Sequence, residues 1–243
     1  MMSKLPILAT LFGAYAEVLK NLGVLVRAAL LPALLMLILS VVTNALGSGF
    51  LSSVVFWFVS LPSATLIAMS CHRVVLLGPD SLNNPWSLYW TDRETEFFIN
   101  LIILSGMMFL AKTAFGVIFL MAPETAFGMA VPWLGIALTY IVVTYVQGRF
   151  SMVLPANAVG KKMFLSASWY LTAGNGPRIA VVLLMPIFIL AGVTIAFSQL
   201  ESDVSLLGVV GIGILYVLTF LVEIAALSLS YKFLQASASS TNA

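Results

Sequence analysis

Along the chain, long apolar runs alternate with short polar ones, and six of the runs reach the about 20 mostly apolar residues that a helix needs to cross a bilayer. They cover residues 24–46, 50–77, 97–120, 126–147, 178–199 and 206–231. Three links, Gly47-Ser48-Gly49, the stretch around Ala122-Pro123-Glu124, and Leu200-Glu201-Ser202-Asp203-Val204-Ser205, are short and carry neither Lys nor Arg. Such links join antiparallel neighbours. The pattern therefore predicts an all-α polytopic membrane protein whose six transmembrane helices form three hairpins.

Ahead of each hairpin the periodicity changes. Leu8, Leu11, Phe12, Tyr15, Val18, Leu19 and Leu22 recur at intervals of three and four, with Thr10, Glu17, Lys20 and Asn21 on the other face. This is the pattern of an amphipathic helix lying in the headgroup layer. Before the third span, Asn84 is placed to cap a helix starting at Pro85, with Trp86, Tyr89, Trp90 and Phe97 on one stripe and Asp92, Glu94 and Thr95 opposite. Before the fifth, Val159, Met163, Ala167 and Tyr170 make a weaker stripe beside Lys161 and Lys162. Trp and Tyr favour the membrane interface because their rings are amphipathic. These segments read as anchors covering the bundle, or as a collar for a partner or an anionic lipid. The residues such a collar would use are Arg73, Trp86, Trp90, Lys161, Lys162, Trp169, Arg178 and Lys232.

Composition narrows the class further. Of 243 residues, 61% are hydrophobic and 8% charged, whereas a soluble domain carries roughly a quarter charged residues. A soluble globule, a disordered chain and a coiled coil are excluded on that ground, as is any soluble domain of useful size. The net charge of +2 is too small for a nucleic-acid footprint. Cys71 has no intrachain partner, and one histidine, His72, with dispersed carboxylates does not make a metal site. No nucleophile elbow, phosphate loop or zinc-protease helix is present in the sequence. Neither catalysis nor a cofactor nor a metal is expected, and Asp92, Glu94 and Glu96, flanking Arg93, are expected to face water.

The few charges are informative by position. Of the 11 basic residues, all but Lys112 fall at one side of the six spans: Lys4, Lys20, Arg27, Arg73, Arg93, Arg149, Lys161, Lys162, Arg178 and Lys232. Cytoplasmic loops keep Lys and Arg during insertion, so both termini are expected in the cytoplasm. The first long apolar run leads into a full span, so a cleaved signal peptide is not expected. Within the spans the polar candidates are Glu223, Lys112 and Arg149. Glu223 lies nine residues before Lys232, or about 13 Å deep at a rise of about 1.5 Å per residue. A carboxylate there calls either for a hydrogen bond to a base such as Arg149 or for a proton or ligand role. Lys112 either snorkels toward water and Glu124 or pairs internally. Pro32, Pro62, Pro132 and Pro186 should kink their spans, and Gly208, Gly211 and Gly213, with Ala225 and Ala226, suggest a close-packing face.

The chain also resembles itself. His72-Arg73-Val74, Gly148-Arg149-Phe150 and Tyr231-Lys232-Phe233 close the even-numbered spans, and the first two are followed at one spacing by Pro79 and Pro155. Asn21 and Asn175 precede the first and fifth spans, each followed at one spacing by a proline, Pro32 and Pro186. One membrane domain built from three copies of an interfacial segment plus hairpin is expected, at residues 1–79, 80–155 and 156–235, with a polar tail at 236–243. The middle copy departs from the pattern, with Glu96 or Phe97 where the asparagine would stand and Met107 in place of the proline. Copies with a common orientation offer no inverted pair of the kind that builds an alternating-access site.

The run Arg149-Phe150-Ser151-Met152-Val153-Leu154-Pro155-Ala156, followed by Lys161-Lys162 and by Ser168-Trp169-Tyr170-Leu171-Thr172-Ala173-Gly174-Asn175, resembles uncharacterised bacterial six-helix inner-membrane proteins. These are similar to the membrane domain attached to some glycerophosphoryl diester phosphodiesterases. In those enzymes hydrolysis belongs to a separate soluble barrel with no counterpart here, so no catalytic residue carries over. The resemblance implies a bacterial inner-membrane protein with a supporting role in lipid handling or in organising a partner. The function expected is therefore a non-catalytic accessory or structural membrane protein that packs against other membrane proteins or lipids. The alternative is a small-solute or lipid transporter, lined by Glu223, Lys112, Gln147 and Arg149.

Overall fold

The structure, a computed structural model, describes residues 3–45, 47, 49–82, 89–120, 130–200 and 206–241. Among these the chain is all helical: α1 (Ile7–Lys20), α2 (Leu22–Ala45), α3 (Phe50–Leu77), a 3₁₀ turn (Pro79–Ser81), α4 (Asp92–Leu120), α5 (Ala130–Phe150), α6 (Val153–Ala158), α7 (Leu165–Leu171), α8 (Gly176–Leu200) and α9 (Leu206–Thr241). Six of them, α2, α3, α4, α5, α8 and α9, are long and apolar enough to span a membrane. The protein is an all-α polytopic membrane protein. Two boundaries move by five residues or more from those expected: α4 starts at Asp92, ahead of Phe97, and α9 runs beyond Tyr231, so that the polar tail is helical through Thr241.

Each hairpin packs within itself, as α2 on α3, α4 on α5, and α8 on α9. Between hairpins, α3 packs on α4 and α5 on α8. The round closes by α9 packing on α3, with α2 held on the outside of α3. Outward-facing residues of α2 and α8, such as Leu37, Ile38, Phe188 and Ile195, are exposed and apolar. In a bilayer this is the surface that acyl chains cover, which is why a stripe of one polarity suffices and the helices need no polar face. Pro32 and Pro186 occupy the same register after the first residues of α2 and α8, Leu22 and Gly176.

The described core gathers at the end of the bundle where both termini lie, for which Ser3 and Ser237, joined through their hydroxyls, are the marker. Buried there are Leu25 of α2, Met69 and Val74 of α3, Phe97 of α4, Ile179 of α8 and Leu234 of α9. At its centre lies α6, six residues that are all buried, packed against α3, α4 and α9. It ends in a Schellman turn, in which the Lys161 amide bonds the Ala156 carbonyl at 2.9 Å around Gly160 at φ 77°. A short helix can sit there because three long helices converge at this end and leave a gap.

The first interfacial helix forms, but with three faces instead of two. Thr10, Leu11, Ala14 and Val18 are buried against the bundle, where α1 packs mainly on α9 and α8. Leu8, Phe12 and Leu19 lie on an adjacent strip and are exposed, Phe12 at 71%. Glu17 and Lys20 take the remaining side, with Lys20 at the C-terminal end, where a cation complements the helix dipole.

The helix expected from Asn84 and Pro85 lies partly outside the described residues, and within its described part Tyr89, Trp90 and Thr91 are extended chain or coil, while Asp92 to Phe97 are helical as the first turns of α4. The helix starts later because Thr91 and Glu94 form a capping box. The Thr91 amide donates to the Glu94 carboxylate at 2.9 Å, its hydroxyl also meets that carboxylate, and the Arg93 amide reaches the Thr91 hydroxyl at 3.3 Å. The third interfacial stripe is likewise broken: Gly160 through Phe164 are not helical, and only Leu165–Leu171 make α7.

Candidate functional site

Three polar joints at the terminal end tie the helix ends together, and they contain Arg73, Arg149, Trp169 and Arg178 of the residues singled out by the sequence. The first holds Arg149. Its Nε donates to the Thr172 hydroxyl at 2.7 Å, one terminal nitrogen to the Tyr145 hydroxyl at 3.2 Å and the other to the Trp169 carbonyl at 2.5 Å. The Trp169 ring lies under the guanidinium, 3.9 Å from Cζ to ring centre, and Phe150 packs on that ring at 5.0 Å. The Ser168 hydroxyl donates to the Arg149 carbonyl at 2.8 Å. A buried guanidinium is costly unless its fork is filled, and here Tyr145 of α5, Trp169 of α7 and Thr172 at the C-cap of α7 fill it with hydroxyls, carbonyl and ring. Trp169 is thus turned inward as a wall of the Arg149 site.

Close approach makes this joint possible. A Cβ on Gly176 would stand 2.6 Å from Tyr145 Cε2 and 2.8 Å from Arg149 Cδ, and one on Gly148 would stand 2.9 Å from Ile179 Cγ2. The start of α8 and the end of α5 therefore touch backbone to side chain, as small residues allow between membrane helices.

The second joint holds Arg73 at the end of α3. It makes an ion pair with Glu94 at 2.9 Å, while its Nε donates to the Ala158 carbonyl at 3.2 Å. Glu94 is 2% exposed, which corrects the expectation that it faces water. One carboxylate caps α4 and anchors α3, so its second oxygen is free for the guanidinium because the first serves the cap. His72, next to Arg73, is buried on the other side, with Nδ1 2.7 Å from the Ser228 hydroxyl of α9, and Cys71 Sγ lies 3.5 Å from the Leu221 carbonyl. Adjacent residues on α3 thus face α4 and α9.

The third joint straps the N-terminus down. The Leu5 amide donates to Asn175 Oδ1 at 2.7 Å, Asn175 Nδ2 to the Ser3 carbonyl at 3.2 Å, and Arg178 to the Leu5 carbonyl at 2.8 Å. Asn21, at the corresponding place before α2, instead bonds back to Glu17. Around these joints the surface pairs are looser. Lys162 meets Glu96 at 2.9 Å, and that hydrogen-bonded carboxylate, with a smaller field from Asp92, holds the lysine pKa above its ordinary value. Lys161 donates to Gln235 at 3.0 Å. Trp90 is exposed, donating to the Thr95 hydroxyl at 2.9 Å and standing edge-on to Phe98. Lys232 is exposed. Trp86 and Glu124, and the side chain of Lys112, lie outside the described residues.

Glu223 is not brought to Arg149. Among the described residues it has neither a hydrogen bond nor an ion pair, while the nitrogens of Arg149 are occupied by α5 and α7. The expected pairing fails because the two lie on α9 and α5, which do not pack closely. What the sequence reading missed is the Thr91-to-Glu94 box, whose signal, a threonine three residues before a glutamate ahead of an apolar run, is present in the sequence.

Beside the second joint lies a cavity of about 840 Å³, bounded by α2, α3 and the start of α4. A smaller apolar groove of about 180 Å³ runs between α1, α8 and α9 past Tyr15, Leu190 and Leu218. Comparison of the chain with protein-family models, curated proteins and solved structures found no match.

Proposed function

We propose that this is a non-catalytic accessory protein of a bacterial inner membrane, with both termini in the cytoplasm, which acts by packing against membrane lipids and neighbouring membrane proteins. The observation that carries the reading is the three-faced helix α1. One face is docked on α8 and α9, one presents Leu8, Phe12 and Leu19, and one is polar. A helix so divided is held at the level of the headgroups, with apolar side chains directed into the membrane. The joints support the same reading, since Arg73, Arg149, Asn175 and Arg178 spend their hydrogen bonds in fastening helix ends. The basic residues of this end agree with a cytoplasmic placement, and the resemblance of the 149–175 run to a membrane domain of lipid-handling enzymes agrees with a supporting role.

The test is site-specific photo-crosslinking in the native membrane, with the reactive group placed at Phe12 on α1, Phe188 on α8 or Tyr216 on α9. Discrete protein adducts at one flank are expected. Adducts to lipid alone at all three positions would overturn the accessory part of the proposal.

A second reading, a small-solute or lipid transporter, rests on Glu223. A carboxylate inside a span with no partner among the described residues is the usual mark of an ion or substrate pathway. Retention of transport-linked phenotype and of assembly in Glu223→Gln would remove that reading.

A further inference from the structure

The 840 Å³ cavity beside Arg73 has two chemically distinct halves. At its outer end stand Arg73, Asp92, Arg93 and Tyr89, while its inner wall includes Ala28, Pro32 and Leu66. Leu66 precedes Leu77, the last residue of α3, by eleven positions, which at about 1.5 Å per residue places the floor about 16 Å inside the helix end. A site that is charged at the headgroup level and apolar about 16 Å deeper has the profile of one phospholipid molecule. Its volume lies within the roughly 300–1,000 Å³ of small-molecule sites.

The polar half also holds uncommitted groups of both signs. The guanidinium of Arg93 lies over Gly160, where a Cβ would approach Cζ to 3.3 Å, and bonds no described residue. Positive φ at Gly160 keeps that approach open. Asp92 is exposed and has no hydrogen bond or ion pair among the described residues. Arg73 commits Nε and one terminal nitrogen to Ala158 and Glu94, leaving donors on the other. Two cations and the two carboxylates of Asp92 and Glu94 make this end neutral, so a purely anionic headgroup has no net field to draw it. Access from the bilayer is lateral, because α2 and α4 each pack on α3 and not closely on one another.

We infer that this cavity is a binding site for a zwitterionic glycerophospholipid with a primary ammonium headgroup, phosphatidylethanolamine in chemical class. Arg93 and the free donors of Arg73 take the phosphodiester, Asp92 takes the ammonium, and one acyl chain lies along Leu66 and Pro32. A guanidinium fork suits phosphate oxygens, and an ammonium with three N–H donors suits a carboxylate. The inference rests on the reading of the chain as a lipid-facing membrane protein and adds the lipid and its place.

The experiment is native mass spectrometry of the full-length protein, stripped of lipid in detergent and titrated with phosphatidylethanolamine, phosphatidylglycerol or phosphatidylcholine. One phosphatidylethanolamine is expected to bind at least tenfold more tightly than either of the others. Arg93→Gln and Asp92→Asn should each weaken it about tenfold, and Ser70→Phe, which fills the cavity, should abolish it. Lys232→Gln, on the exposed side of α9 and outside the cavity, should leave it unchanged. Thermal melting without lipid shows that each variant is folded. Equal binding of the three lipids, no effect of the cavity variants, a preference for phosphatidylglycerol, or equally tight binding of soluble glycerophosphoethanolamine would each overturn the inference. Lipid binding without protein crosslinks in the native membrane would keep the site and sink the accessory role, and the reverse outcome would do the opposite.

Discussion

The guanidinium carbon of Arg149 stands 3.9 Å from the centre of the Trp169 ring, and the same tryptophan's carbonyl accepts one of its N–H groups at 2.5 Å. One residue of α7 thus supplies both a π face and a hydrogen-bond acceptor to the end of α5. Arg73 stands in an equivalent relation to the start of α4 through Glu94, and the end of α9 packs on α1. Each even-numbered span therefore ends against the segment that leads into another hairpin, which is how short polar segments set the arrangement of long apolar helices.

Arg149→Lys should keep the charge and lose the fork and the stack. Hydrogen bonds to charged groups contribute about 1.5–3 kcal/mol each and a desolvated cation–π contact about 2. The expected loss is about 2–4 kcal/mol, read as a lower midpoint in denaturant titration of the detergent-solubilised protein. A midpoint within error of the parent would mean that the cage does not hold α5 to α7.

Gly176→Ala should cost about 1–3 kcal/mol by overpacking, because its new methyl would meet Tyr145 Cε2 at 2.6 Å. Gly192→Ala is the control, since nothing lies within 4 Å of its Cβ position, and it should be neutral or slightly stabilising in a helix. Equal midpoints for the two variants would contradict the close crossing of α5 and α8.

Glu94→Ala removes a cap and an ion-pair partner at once, with Arg73 left half-buried. Loss of a cap costs about 1 kcal/mol and an orphaned charge more, so about 2–4 kcal/mol is expected. Glu96→Ala, which breaks only the exposed pair with Lys162, should leave the melting temperature unchanged. A reversed order would refute the assignment of Glu94 as the joint.

Phe12→Trp should fluoresce from the headgroup boundary. Spin labels high on the acyl chain should quench it strongly and labels near the chain end weakly, whereas Phe188→Trp, within α8, should show the opposite order. If the emission that Phe12→Trp adds to that of the five native tryptophans is insensitive to every label, that face of α1 is in water.

The six spans were legible because a bilayer demands one property, apolar length, which hydropathy records directly. The joints were not. Arg149 and Trp169 are separated by a buried turn and a loop, and their meeting depends on α6 filling the gap between α3, α4 and α9; residues 153–158 read by themselves only as the link after a span. Glu94 was misplaced because its neighbours Asp92, Arg93 and Glu96 suggest a wet edge, although the Thr91 box three residues earlier marks the helix start. Trp169 was expected on a partner-facing collar, since an interfacial tryptophan near lysines has that appearance, yet its ring serves Arg149. Composition reports which residues leave water and does not report whether lipid, partner or the chain itself receives them.

The most direct test of the accessory role is the mass of the protein extracted with its surrounding lipid from native membrane in polymer-bounded discs. A particle containing at least one other membrane protein in a fixed ratio is expected, lost when the α1 face is altered by Leu8→Ser and Phe12→Ser. A particle holding this chain alone, as monomer or self-oligomer, whatever its lipids, would contradict that role.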